Sequence, residues 1–82
     1  MDLNRLRWAS RRGMLELDLI LEPFLQNIYP DLPEPDKVRY QKLLDCEDQD
    51  LFNWFLRKME PKEEDLKIIV RIILANTGPR SL

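Results

Sequence analysis

The chain contains no histidine, one cysteine and only two glycines among its 82 residues. Without histidine it lacks the commonest general base and metal ligand, and Cys46 has no imidazole to activate it. Classical nucleophilic catalysis is therefore not expected. A lone cysteine excludes an internal disulfide, and the N-terminus shows no apolar leader, so the expected setting is a reducing cytosol. Two isolated glycines exclude a Gly-rich phosphate loop, so no nucleotide or other cofactor is expected to be held by this chain alone. No apolar run approaches the ~18 residues of a membrane span, and no segment alternates as a half-buried strand would. A soluble, all-α protein is expected, with no membrane insertion.

Hydrophobic residues make up 44% of the chain and charged residues 34%, a globular composition. The length suits one modest core and is too short to enclose an ordinary substrate cavity as well. The expected organisation is one domain over 1–82, with residues 77–82 as a frayed tail. The net charge of −2 conceals an asymmetry, because residues 1–13 carry four arginines against Asp2 and the rest of the chain is strongly acidic. A nucleic-acid module is usually basic as a whole domain, so nucleic acid is not an expected partner.

The apolar spacing is helical throughout. Leu66, Ile69, Val70, Ile73 and Leu74 follow an i, i+3, i+4, i+7, i+8 pattern and predict a helix over Glu63–Asn76. Asp48 and Asp50 open a helix whose Leu51, Trp54, Phe55 and Met59 are expected on one face, with Pro61 marking its end. Pro35 suits the first turn of a helix that turns Tyr40, Leu43 and Leu44 inward and ends near Cys46, which is read as a packed, unreactive thiol. A longer helix from about Met14 carries Leu17, Leu21, Phe24, Leu25 and Ile28, with a bend and no break at Pro23. A short first helix over about 2–10 must be held by Leu3, Leu6 and Trp8, and both tryptophans are read first as core.

One grouping has no folding rationale of this kind: Arg11-Arg12-Gly13-Met14-Leu15-Glu16-Leu17-Asp18. A glycine between two helical patterns marks a corner with positive φ or close approach by another chain. A cation before it and an anion after it form a candidate protein contact surface. Arg11 and Arg12 also suit a helix C-terminus, and Glu16, four residues after Arg12, can pair with it. Glu16 and Asp18 diverge by about 200° on a helix and are no acid/base dyad. Trp8, beside the arginines, is the better tryptophan for partial exposure.

Arg12-Gly13-Met14-Leu15-Glu16 resembles the RGxxE motif of the SdhE or succinate dehydrogenase assembly factor 2 family. The surrounding Trp8-Ala9-Ser10-Arg11, Leu17-Asp18, Pro23-Phe24 and Leu43 to Trp54 segments are similar to bacterial members as well. The resemblance spans about residues 1–76. It implies a compact five-helix bundle that acts as an assembly chaperone and is not itself an enzyme. Its partner would be the flavoprotein subunit of succinate dehydrogenase, with that of fumarate reductase as a further client, and FAD would become linked to a client histidine. By that resemblance Arg12, Gly13 and Glu16 contact or organise the client surface, with Arg11, Asp18 and Trp8 second in rank. FAD would belong to the client, and the free protein would be a monomer. Pro33-Glu34-Pro35 departs from the expected bacterial pattern at the start of the third helix. The competing readings are a small antitoxin-type protein that restrains another protein and a helix-turn-helix nucleic-acid binder using the N-terminal arginines.

Overall fold

Helical periodicity becomes five helices in the computed structural model, which describes residues 3–77. They are α1 (Leu3–Ser10), α2 (Leu15–Asn27), α3 (Glu34–Leu44), α4 (Asp48–Phe55) and α5 (Glu64–Thr77), with a single 3₁₀ turn at Tyr29–Asp31. No strand occurs among the described residues. Of the expected frayed tail over 77–82, Thr77 belongs to α5 and residues 78–82 lie outside the described residues.

Each helix contributes the stripe its spacing predicts. Leu17, Leu21, Phe24 and Leu25 of α2 are buried against Leu66, Ile69, Val70 and Ile73 of α5 and the inward residues of α3. Helix α3 packs along α5, and α2 lies between α1 and α5. Pro23 does not break α2. Both Pro23 and Leu19, one turn earlier, are exposed, so the carbonyl that loses its helical partner lies on the water side. Pro35 sits in the first turn of α3, where a missing N–H costs nothing.

Two expectations fail on local geometry. Helix α4 ends at Phe55 and does not reach Met59, which is exposed. Its last turn widens: Arg57 N–H donates to the Phe52 carbonyl at 3.3 Å and Met59 N–H to that of Asn53 at 3.0 Å. Lys58 adopts a left-handed φ of 61°, which turns Met59 off the buried face. Trp54 packs half-buried on the core, as expected. Trp8, read as core, is 78% exposed. Helix α1 turns Leu6 and Ser10, four residues apart, into the protein, and Trp8 falls about 200° from Leu6 on the opposite side. Leu6 anchors the helix as expected, while the role given to Leu3 falls on a side chain outside those described.

Ser10 ties α1 to α3. Its Oγ lies 2.8 Å from Tyr40 Oη in the fully buried interior, while the Tyr40 ring packs on Phe24 and Tyr29. Burial pushes the Tyr40 phenol up to about 12, with the Ser10 hydrogen bond opposing it. An unfolded tyrosine ionises near 10.0, so between there and about 12 the unfolded chain holds fewer protons than the folded one. Stability from this group is whole below pH 10 and falls by about 2–3 kcal/mol as pH rises through that window. Tyr40→Phe is expected to remove this slope and, by stranding the Ser10 hydroxyl, to cost about 1–3 kcal/mol at pH 7. Melting temperatures of both chains at pH 7, 9 and 11 check it.

Candidate partner-docking corner

Between α1 and α2 the chain turns through Arg11, Arg12, Gly13 and Met14, and Gly13 has φ +78°. L-residues with a side chain rarely adopt that angle, so glycine is the residue that makes this turn without strain. A Cβ built at Gly13 would meet nothing within 4 Å. The corner is therefore open backbone facing outward, as the position of Gly13 between two helical patterns predicts.

Arg12 runs the other way, with its side chain only 12% exposed. Nε donates to Asp48 Oδ1 at 2.7 Å, Nη1 to the carbonyls of Ala9 and Leu44 at 2.9 and 3.0 Å, and Nη2 to that of Cys46 at 2.6 Å. One guanidinium thus satisfies carbonyls at the C-terminal ends of α1 and α3 and pairs with an acid in the first turn of α4. A positive charge suits both C-termini, and the acid suits the helix N-terminus. The fork geometry of arginine meets several acceptors at once, which a lysine ammonium on a single stem does less well. The backbone N–H of Arg12 donates to Asp18 Oδ1 at 2.9 Å, so the first turn of α2 grips the corner from the other side.

The remaining predicted residues face solvent. Glu16 is exposed in the first turn of α2 and makes no pair with Arg12, whose side chain is committed to Asp48. Arg11 is exposed and approaches Glu22 loosely at 3.6 Å. Trp8, Arg11 and Gly13 line one shallow groove of about 680 Å³ with Asn4 and Arg7. The structure thus brings Trp8, Arg11 and Gly13 together, keeps Glu16 on the adjacent helix turn, and places Arg12 and Asp18 beneath as supports.

Leu15 and Leu19 were missed by the sequence reading. They are 70% and 66% exposed, one turn apart on the outer face of α2 that also carries Glu16. The signal was present: both fall outside the register of Leu17, Leu21, Phe24 and Leu25, and a helix apolar on more than its core side has a second surface to cover. Cys46 is half-buried at the α3–α4 junction, its thiol pushed up by burial and then by Asp50 and Glu63. That is the environment of an unreactive thiol. No group of three or more metal-ligating side chains converges among the described residues, and no described helix is long and apolar enough to cross a membrane.

The corner lies within a stretch that matches a known family. The family described as flavinator of succinate dehydrogenase, Sdh5, matches residues 4–77. The chain belongs to this family. It is 54% identical over 78 residues to the FAD assembly factor SdhE of Pseudomonas aeruginosa, covering 95% of this chain and 93% of that one. The SdhE of Pseudomonas putida is 53% identical over 79 residues, with 96% and 94% covered. That of Shewanella oneidensis is 47% identical over 73 residues, with 88% and 89% covered. The match to the flavinator family thus runs from Asn4 in the first turn of α1 to Thr77 in α5 and includes the whole Arg11–Met14 corner.

Proposed function

We propose that this chain binds the flavoprotein subunit of a succinate dehydrogenase in the cytosol and promotes covalent attachment of FAD to a histidine of that subunit. The observation that carries the reading is the open, positive-φ backbone at Gly13, beside the exposed Glu16, Trp8 and Arg11. A bare stretch of main chain set rigidly at a surface accepts close approach by another backbone, and the charges around it fix the register. Gly13 and Glu16 contact the client, Arg11 and Trp8 extend the contact, and Arg12 organises it from below. Leu15 and Leu19 add the apolar area that a specific interface needs at its centre.

The chain acts as an assembly factor and the chemistry stays with the client. FAD and the acceptor histidine are both held by the flavoprotein subunit. Docking favours the arrangement in which they are aligned, a proximity effect that requires no reacting group here. The flavoprotein subunit of fumarate reductase is a second client of the same chemistry. The free protein is a monomer and binds neither nucleic acid nor membrane.

Binding is tested by co-elution and titration with a purified flavoprotein subunit. Glu16→Ala is expected to leave the fold intact and raise the Kd about tenfold or more, in the range of an interface hot spot. Leu19→Glu is expected to weaken binding by about as much with stability unchanged within roughly 0.5 kcal/mol, since its side chain leaves no core contact behind. Wild-type affinity in both folded variants would place the contact elsewhere.

A further inference from the structure

The Gly13 corner cannot hold its own shape. Glycine is the least restricted residue in the chain, and on its Cβ side Gly13 meets nothing within 4 Å. What fixes the corner comes from its neighbours. The Arg12 N–H is held by Asp18 at 2.9 Å, and the Arg12 guanidinium is held by three carbonyls and by Asp48. Asp48 lies 36 positions along the chain, in the first turn of α4. It is about half exposed, while the guanidinium it pairs with is nearly covered.

From this geometry we infer that Asp18 and Asp48 are positioning residues for client docking. Arg12 acts on the client only through the backbone it holds. The inference rests on the docking function proposed above and goes beyond it, because it makes client affinity depend on Asp18 and on Asp48, through which the corner and the Arg12 guanidinium are held. A corner held from both sides presents Gly13 in one conformation, so the client does not lose affinity to the fraction of molecules in which the corner is misplaced. Asp48 also couples the corner to the α3–α4 junction, so a change there is felt at Gly13 without contact.

The test compares purified wild type, Asp18→Ala, Asp18→Asn and Asp48→Ala well below their melting temperatures, where circular dichroism shows each to be folded. Two quantities are read: the Kd for a purified flavoprotein subunit, and hydrogen exchange at the Arg12 amide, which Asp18 holds, and at Arg12 Nε–H, which Asp48 holds. Both alanine variants are expected to raise the Kd about tenfold, Asp18→Ala to speed exchange of the Arg12 amide, and Asp48→Ala to expose Arg12 Nε–H. Asp18→Asn keeps the Oδ1 acceptor and is expected to stay within about threefold of wild type in Kd, a rescue that loss of charge at a client contact would not give. Should alanine at position 48 unfold the chain, Asp48→Ser, whose shorter side chain withdraws the acceptor from Arg12 Nε–H, is read in its place. Unchanged affinity in the folded alanine variants, or unchanged exchange of the Arg12 amide in Asp18→Ala, overturns the inference. If the flavoprotein does not bind wild type, the docking reading fails, and exchange alone judges the clamp. Fast Arg12 Nε–H exchange in wild type, equal to that of the exposed Arg7, overturns it outright.

Discussion

Gly13→Arg is expected to reduce covalent flavin attachment on the client to the level of cells without the protein, while the variant remains folded. The φ of +78° makes any L-residue strained at this position, at about 1 kcal/mol, which for a chain of this size lowers the melting temperature by about 4–8 °C. No internal clash adds to that cost, because nothing lies within 4 Å of the new Cβ. The arginine side chain must instead project into the space where a partner backbone would lie. Gly13→Ala separates the two effects, since alanine carries the same backbone strain with far less bulk. Equal stability of the two variants, with much the greater loss of flavin attachment in Gly13→Arg, is the expected pattern. Global unfolding of Gly13→Arg would remove its support for docking.

Arg12→Ala is expected to be the most destabilising single change at the corner, at about 2–4 kcal/mol. Four charge-assisted hydrogen bonds disappear together, and the carbonyls of Ala9, Leu44 and Cys46 lose their donor at the junction of three helices. The cost is kept below that of a fully buried pair because Asp48 retains 44% of its side-chain exposure and can be resolvated. Asp48→Ala should cost only about 1 kcal/mol, since Arg12 keeps its three carbonyl acceptors and the lost pair is largely solvent-screened. Arg12→Lys should fall nearer to alanine than to wild type, because one ammonium cannot replace the planar fork. Thermal melts of the three variants check the order. An exposed contact arginine would give the opposite result, with Arg12→Ala melting as wild type does.

The sequence made the helices legible because each has a stripe and a boundary. Leu66 to Leu74 repeat at helical spacing, Pro35 marks a first turn, and a rare glycine between two such patterns announces the corner. Trp8 and Met59 were misread for different reasons: Trp8 was placed in the core by its type, whereas its direction is set by the helix turn it occupies, and Met59 was placed there by a helical register that α4 does not sustain past Phe55. Helix α1 has room inward for Leu6 and Ser10 but not Trp8, and the left-handed Lys58 rotates Met59 away. The Arg12 clamp was invisible for a deeper cause. Three of its four partners lie 32 to 36 positions away, and two of those, like the nearby Ala9, offer only carbonyl oxygens, which every residue carries, so no side-chain pattern encodes them. Glu16, four residues on and of opposite charge, was the local partner suggested by spacing, and tertiary geometry gave Arg12 to Asp48 instead. The family motif therefore marked the corner between α1 and α2 while leaving open which of its residues face outward.

The central claim is that this chain drives flavin attachment through the surface around Gly13 and Glu16. Its most direct test is in-gel flavin fluorescence of the succinate dehydrogenase flavoprotein subunit in cells lacking the protein, complemented with wild type, Glu16→Ala or Gly13→Arg, with folding of each confirmed in parallel. The account predicts a dark band without the protein, a bright band with wild type, and a band near background with either folded variant. A bright band in the absence of the protein, or full rescue by both folded variants, would contradict it.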